Sequence, residues 1–315
     1  MEGVLLAAAA VIVTFNSEDV VDKCLEALAR MRVPAIVVDN ASIDHTVERV
    51  HAHAGVRVIA NPENRGFSAA VNQGISATDA EFILLLNPDA ELLTSVDALV
   101  QASRQYGLAA GKLVANDGHA QVGFALRRFP TPAALIFEMF GINRVWPSNP
   151  VNRHYRYLDR DLDQPGSVEQ PAGAFLMTRR DVWKGLGGFD ESFFPMWFED
   201  VDYCCRAVRA GYRIEYVPAV AARHAGAHSI ARIPPGCRAV YWCVSLLKYA
   251  AKHFRTLGYT GVCLAMALSS VPRMFAAMLH ERSLAPVTVY CRIVRIAGRA
   301  LALTGRRGVV KITNL

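Results

Sequence analysis

Three acidic clusters, each placed where an apolar run stops, are the residues of this 315-residue chain best spaced to do chemistry. Asp39 follows Ala35-Ile36-Val37-Val38, and Asn87-Pro88-Asp89 follows Phe82-Ile83-Leu84-Leu85-Leu86. Glu199-Asp200-Val201-Asp202 follows the aromatic stretch Phe193-Phe194-Pro195-Met196-Trp197-Phe198. Carboxylates at the carboxyl ends of buried parallel strands converge on one crevice, because that edge of an open α/β sheet is where ligands bind. Such a crevice suits a nucleotide, a divalent cation and a general base.

Each cluster has a role to offer and a plainer alternative beside it. Mg2+ or Mn2+ prefers oxygen ligands and needs few from the protein when phosphates supply the rest. Asp89 is the natural ligand for a cation neutralising a leaving diphosphate, with Asn87 a weaker neighbour. The same Asn-Pro-Asp also reads as a turn after a strand. Asp39 can accept hydrogen bonds from a base or a ribose, and Asp44 fits the start of the following helix as a capping acid. In Asn61–Asn72, Gly66 permits close backbone approach, while Arg65 and the amides of Asn64 and Asn72 can line a sugar nucleotide. Asp200 is the leading candidate for the base that deprotonates an acceptor hydroxyl, since apolar neighbours raise a carboxylate pKa; Glu199 is the alternative. A solvated acidic helix start is the bland reading of both. Asp202 and Arg206, four apart, pair along a helix face. His224 follows the strand Arg213–Val217 and can either return to the cation beside Asp89 or serve structure alone.

The elements that must position these groups follow from periodicity. Ala7–Phe15, Ala35–Asp39, Arg57–Asn61 and Glu81–Leu86 read as buried strands, with helical patterns at Glu18–Arg30, Ser42–His53 and Ser68–Ala77 between them. That alternation calls for a parallel sheet with right-handed crossovers. Ser17 is expected to cap the first helix and Asn40-Ala41-Ser42 the second. Residues 129–166, rich in Pro, Asn and Arg, read as a long loop inserted over the site. Gly173–Thr178 reads as a further strand, Val201–Ala210 as a helix, and Cys237–Phe254, Gly261–Leu279 and Val287–Leu303 as three more, punctuated by Pro234-Pro235, Gly258, Pro272 and Pro286.

Composition narrows the class. Hydrophobic residues at 52% and charged residues at 20% exclude a disordered chain. Seven cysteines without a C-x-x-C pair read as buried thiols in a reducing cytosol. The apolar Met1–Ala10 lacks a basic leader and reads as the approach to the first core strand rather than a cleaved signal. Charge is divided: residues 232–315 hold 13 Lys+Arg against the single acid Glu281, whereas residues 1–231 hold 21 Lys+Arg against 27 acids. A basic, apolar tail on an acidic body points to an anionic surface. Gly261–Leu279 is nearly long enough to span a bilayer, but Pro272-Arg273 near its middle favours helices lying in the membrane interface. A solvated amphipathic cap is the other reading.

Val13-Thr14-Phe15-Asn16, Val38–Asp44, Asn64–Gly74, Leu86–Asp89 and Gly187–Phe194, followed in order by Glu199–Asp202, resemble glycosyltransferase family 2 over about residues 4–230. Within that family the bacterial rhamnosyltransferase group is the most similar. The resemblance implies a GT-A fold, which is a Rossmann-like, mostly parallel α/β sheet flanked by helices, an inverting single displacement and a divalent metal. It groups Thr14, Asn16, Asp39, Asn64, Gly66, Asn72, Asn87 and Asp89 around the nucleotide sugar, with Asp39 on the base and Asp89 on metal and diphosphate. It makes Asp200 the catalytic base and gives His224 to metal or diphosphate. Asn87 departs from the wider family, where many members carry the first Asp of Asp-x-Asp. The implied donor is dTDP-L-rhamnose and the implied acceptor a polyprenyl-diphosphate-linked or cell-surface polysaccharide, at the cytoplasmic face of the membrane. Arg127, Arg128 and Trp197 are assigned to the acceptor side, although the arginines could equally solvate their loop. The expected organisation is a catalytic domain over residues 1–231, with an insertion at about 127–168, and a basic, amphipathic, membrane-associating region over 232–315. A UDP-hexose or UDP-galactofuranose donor is the alternative, and self-association stays open. Nucleic-acid binding is remote, because the tail lacks interleaved aromatics and the acidic body repels phosphate.

Overall fold

The computed structural model describes residues 8–226 and 232–303. The expected strand start at Ala7 and the end of the basic tail lie outside them. The described residues fall into two compact units, one drawn from residues 1–129, 156–191 and 199–232, the other from 130–155, 192–198 and 233–315.

The first unit is built on strands β1 (Ala8–Thr14), β2 (Ala35–Asp39), β3 (Arg57–Ala60), β4 (Phe82–Leu86), β5 (Ala90–Leu92), β6 (Gly107–Val114), β7 (Leu126–Arg127), β8 (Gly166–Val168), β9 (Gln170–Pro171), β10 (Phe175–Arg179) and β11 (Arg213–His224). The main sheet runs β3-β2-β1-β4-β10-β6-β11-β5, with β8 also on β11. Strands β1 to β4 are mutually parallel, as expected for crossover units. Strand β10 enters antiparallel between β4 and β6, and β11 returns parallel to β6. Every residue of β2 and β4 is buried, which is why both read as unbroken apolar runs.

Helix α1 (Val21–Arg30) sends Val21, Cys24, Leu25 and Leu28 into a core layer with Ala10, Ile12, Val37 and Leu84. Helix α3 (Phe67–Ser76) sends Ala70, Val71 and Ile75 into the opposite layer with Val11, Val38, Ile83 and Leu85. The period of two along a strand produces this division between the faces. Gly74 lets α3 lie close to the sheet: a methyl group there would stand 2.5 Å from Val11 Cγ1 and 3.1 Å from Val38 Cγ2.

Several expectations are corrected. Helix α1 begins at Val21, and Ser17 is not its side-chain cap: the Ser17 hydroxyl accepts from Phe15 N while its carbonyl accepts from Val20 and Val21 N. Helix α2 (Thr46–His51) starts four residues beyond Ser42, whose hydroxyl is spent on Asp39. Residues 129–166 are not a bare loop but contain helices Pro132–Met139, Ile142–Val145 and Pro150–Tyr155. Thr131 caps the first of these by accepting from Ala134 N, with Pro132 at its first position, a start signal present in the sequence. Strand β11 runs on past Pro218 through a register shift between Val217 and Ala221, which carries His224 to a pairing with Ala90. Two of the seven free cysteines, Cys237 and Cys291, are exposed; the other five are buried.

In the second unit, the helices Pro235–His253, Thr256–Glu281 and Ala285–Leu303 stand where three were expected. Pro272 does not break the second of them. The Arg273 guanidinium lies 6.0 Å from the Trp242 ring centre and 5.8 Å from that of Tyr290, so aromatic faces take up its charge. Thr256–Glu281 is long and apolar enough to cross a membrane by length and composition, and 33% of its most apolar stretch is buried within the protein.

Close packing at Gly74 has a measurable consequence. Gly74→Ala should lose about 1–3 kcal/mol of stability through overpacking, against the gain in helix propensity an alanine normally brings. Urea unfolding in which this variant matches or exceeds the wild type contradicts the tight approach.

Candidate active site

Register places the acidic positions on one rim. Thr14 pairs with Asp39 and Val11 with Leu85, so β1, β2 and β4 end at the same edge. At that edge Asn87 N donates to Ala174 O (3.0 Å), and the adjacent Gly173 N donates to Asp200 Oδ2 (2.9 Å). The antiparallel entry of β10 therefore draws Asp200 to the end of β4. Asp39 and Asp89 follow β2 and β4, which flank β1, and Asp200, at a helix start, is tied to Gly173 beside the end of β4.

Asp39 is only 2% exposed. Its carboxylate accepts from Thr14 Oγ1 (2.7 Å), Ser42 Oγ (2.5 Å) and Ser42 N (2.8 Å). Those donors leave acceptor capacity on a carboxylate, which offers about four lone-pair positions. Asn16, at φ 51°, donates its N–H to Ser42 Oγ and accepts from Ile43 N, pinning the loop after β2. Asn64 Oδ1 accepts from Gly66 N, and Gly66, at φ 80°, turns the chain into α3 while its carbonyl accepts from Asn40 Nδ2. Gln73, for which the sequence gives no role, exchanges two amide hydrogen bonds with Asn61.

Asn72 is a correction to its expected role at the sugar nucleotide. Its Oδ1 accepts from Trp183 Nε1 and Phe189 N, and its Nδ2 donates to Phe189 O and Glu191 Oε1. An amide so engaged ties α3 to the Gly187-Gly188 turn and has no capacity left for a ligand.

Asp89 and His224 form the second group. His224 Nε2 stands 3.3 Å from Asp89 Oδ1 and 3.4 Å from Asn87 Nδ2, with the imidazole and the carboxylate both deeply buried. Gly226 N donates to Asp89 Oδ2 (3.1 Å) and Ala225 N to Asp89 O (3.1 Å). Phe124 stacks on the imidazole with ring centres 5.4 Å apart and planes 15° from parallel. Among the described residues no three His, Cys, Asp or Glu side chains gather as a complete metal site. The pair can hold a cation only where a ligand supplies further oxygens, which is the arrangement a hard cation bridging a diphosphate requires. Below it, Cys24 Sγ lies 3.6 Å from Asn87 O, and burial together with the Asp89 charge holds its thiol protonated.

The third group is Glu199 and Asp200 at the start of the helix Glu199–Arg209. Burial raises the Asp200 pKa, and Gly173 N–H, Val201 N–H and the Arg127 charge oppose that rise. Burial, with the Asp200 charge added, raises Glu199 much further, and Glu199 Oε2 is buried with no hydrogen-bond partner. Both carboxyls are pushed up by burial, Glu199 the further, so Asp200 is the one of the pair that gives up its proton more readily. Asp202 and Arg206 form the expected i,i+4 pair (2.7 Å).

Of the three residues expected on the acceptor side, Arg127 is the one whose charge acts on Asp200; its Nε also donates to Gly123 O (2.9 Å). Arg128 instead covers the Tyr157 ring at 4.2 Å and approaches Asp159 at 3.5 Å. Trp197 belongs to the second unit, where it and Phe198 adopt left-handed backbone at φ 78° and 68°. Consecutive positive φ at two bulky residues is strain of the kind that collects at functional segments. The sequence reading missed Gln121, Phe124, Gly173 and Gly226. Asp117-Gly118 signals the turn that delivers the first two, but nothing in the pattern marks their side chains.

Comparison with known proteins shows the family and the fold. The family described as "Glycosyl transferase family 2" matches residues 9–186. An N-acetylglucosaminyl-diphospho-decaprenol L-rhamnosyltransferase of Mycobacterium tuberculosis is 30% identical over 240 residues, covering 70% of this chain and 76% of the relative. The rhamnosyltransferase WbbL of Escherichia coli K12 is 28% identical over 232 residues, covering 69% and 83%. Among solved structures, the mannosyltransferase PcManGT of Pyrobaculum calidifontis, in complex with GDP-Man and Mn2+, superposes with a TM-score of 0.51 at 15% identity, covering 95% and 86%.

The neutral Glu199 gives a pH test of the site. A carboxyl whose pKa is raised by folding contributes stability that is fully present below its ordinary 4.5 and lost as pH rises through the folded value. Glu199→Gln removes this dependence, so its melting temperature should gain on the wild type as pH climbs from 4 to 8. A gap that stays constant over that range contradicts the burial of a neutral acid.

Proposed function

The chain is a member of glycosyltransferase family 2, and we propose that it transfers L-rhamnose from dTDP-L-rhamnose to a polyprenyl-diphosphate-linked saccharide with inversion. One observation carries the reading of the reaction: the Asp39 carboxylate, the Asp89–His224 pair and the buried Asp200 share one sheet rim. The rhamnosyl donor and the lipid-linked acceptor rest on the two named relatives.

In this reading Asp39, with Thr14 and Asn16 behind it, accepts from the base, and Gly66 gives the backbone room to approach the donor. Asp89 and His224 would hold a divalent cation, Mg2+ or Mn2+, which when bound would supply Lewis-acid stabilisation of the leaving diphosphate. Asp200 takes the proton of the acceptor hydroxyl as that oxygen bonds to the anomeric carbon and the bond to dTDP breaks on the opposite face. A β-linked donor then gives an α-linked rhamnoside. Burial raises the Asp200 pKa toward the range of a general base, Gly173 N–H, Val201 N–H and Arg127 limit that rise, and Glu199 beside it is raised further. Holding the two sugars in line supplies much of the rate.

The catalytic region corresponds to residues 1–231, and residues 232–315 hold the enzyme peripherally at the cytoplasmic face of the membrane. Leu264, Leu268, Val271, Phe275 and Leu279 are exposed at spacings of three and four along Thr256–Glu281, forming one apolar stripe. With 13 Lys+Arg and one acid over residues 232–315, that stripe suits an anionic bilayer surface.

Incubation with a panel of nucleotide sugars and polyprenyl-diphosphate saccharides, with and without Mg2+, should give a product heavier by one deoxyhexose from dTDP-L-rhamnose. Asp200→Asn should lower kcat by about 10²–10⁴-fold with donor binding retained. Hexose transfer from a UDP donor alone, or full turnover by that variant, rejects the assignment. Sedimentation with phosphatidylglycerol vesicles should capture the enzyme at low salt, and Leu268→Ser with Phe275→Ser should release it. Equal capture by neutral vesicles contradicts the electrostatic part.

A further inference from the structure

Gln121 lies outside every motif named above, yet it makes two contacts with His224. Its Nε2 donates to His224 O (2.8 Å), and its Oε1 lies 3.1 Å from His224 Nδ1. The first contact fixes the second. A backbone carbonyl can only accept, so the amide nitrogen must face it and the amide oxygen must face the ring. An amide oxygen cannot donate, so Nδ1 carries the proton. In the neutral imidazole Nε2 is then the nitrogen with the free lone pair. That lone pair faces Asp89 Oδ1 at 3.3 Å, and Asn87 Nδ2, at 3.4 Å, is placed to donate to it. In that form the Nε2 lone pair and the Asp89 carboxylate would both be offered to a cation bound between them.

The support of Gln121 is itself built. Gln121 N donates to Leu113 O at the end of β6, and Gln121 O accepts from Phe124 N and Ala125 N. The preceding turn is closed by Ala115 N to His119 O and by Asp117 Oδ1, which accepts from His119 N, with Gly118 at φ 84°. Phe124, three residues on, covers the imidazole face. One loop thus holds the ring by its Nδ1 edge and one face, leaving the Nε2 edge for the site.

We propose that Gln121 is a positioning residue of the cation site, holding the His224 proton on Nδ1 so that the Nε2 lone pair faces Asp89 as a ready ligand. This rests on the reading of Asp89 and His224 as the cation pair. Groups that orient the ligating imidazole from behind typically account for 10–100-fold in metal affinity.

The test uses the full chain and two readouts besides activity. Two-bond ¹H–¹⁵N spectra of metal-free protein labelled at histidine, with His224 assigned by its loss in His224→Ala, report the tautomer. Mn2+ titration followed by electron paramagnetic resonance reports affinity. The wild type should show a protonated Nδ1 and an unprotonated Nε2. Gln121→Leu should lose that pattern and weaken Mn2+ binding by about 10–100-fold, with circular dichroism unchanged. Gln121→Glu, still an acceptor at Nδ1, should restore both. If Gln121→Leu does not fold, Gln121→Glu decides alone, and an unprotonated Nδ1 in that variant overturns the proposal. Asp89→Asn separates the two readings: undiminished Mn2+ binding in it rejects the cation pair and the proposal together. Lost binding in Asp89→Asn with wild-type tautomer and affinity in Gln121→Leu rejects Gln121 alone.

Discussion

A buried carboxylate must meet donors or give up its charge, and the rim of this sheet is organised around that requirement. Asp39 is met by Thr14 and Ser42, Asp89 by Gly226 N–H beside His224, and Asp200 by Gly173 and Val201 N–H beside Arg127. These donors come from distant stretches of chain, and each contact fixes a piece of backbone as well as a charge. The Gly173 contact depends on β10 entering antiparallel between β4 and β6, and the Gly226 contact on β11 continuing past its bulge. The fold therefore keeps three acids near one another without letting any of them rest against another unpartnered.

Glu199 is the exception that gives the arrangement its asymmetry. It adjoins Asp200 in sequence and shares its burial, but Oε2 has no partner. Two ionised carboxylates at successive buried positions would repel, so both are pushed up, the one with donors less than the one without. The choice between Glu199 and Asp200 as base thus turns on which backbone N–H groups reach which side chain, which neither residue type nor spacing reveals.

The parallel half of the fold was legible because its physics is local. β2 and β4 are short apolar runs ended by polar residues, and the helices between them carry a clear apolar face. Asp39, Asp89 and Asp200 were legible for the same reason, since each marks the end of a buried run or the start of a helix. The assignments that changed are those decided by distant partners. Asn72 sits in the same motif as Gly66, yet Trp183 and Phe189 claim its amide. Ser17 has the right type for a cap, but its hydroxyl turns back to Phe15 N. Gln121 is an amide in a turn, and only the return of β11 brings His224 against it. The helices within residues 130–155 were missed for a different reason: Pro and Asn were read as loop residues where Thr131-Pro132 is a helix start.

The same interactions account for the amide at position 87. An aspartate there would set a second carboxylate beside Asp89 and a second carboxylate acceptor against His224 Nε2, which Asp89 Oδ1 already faces at 3.3 Å. Asn87 Nδ2 does the opposite, standing as a donor 3.4 Å from Nε2. Asparagine at 87 and glutamine at 121 act on the two ends of one ring in the same sense. The departure from Asp-x-Asp leaves one acidic ligand fewer and sets an amide donor against the imidazole in its place.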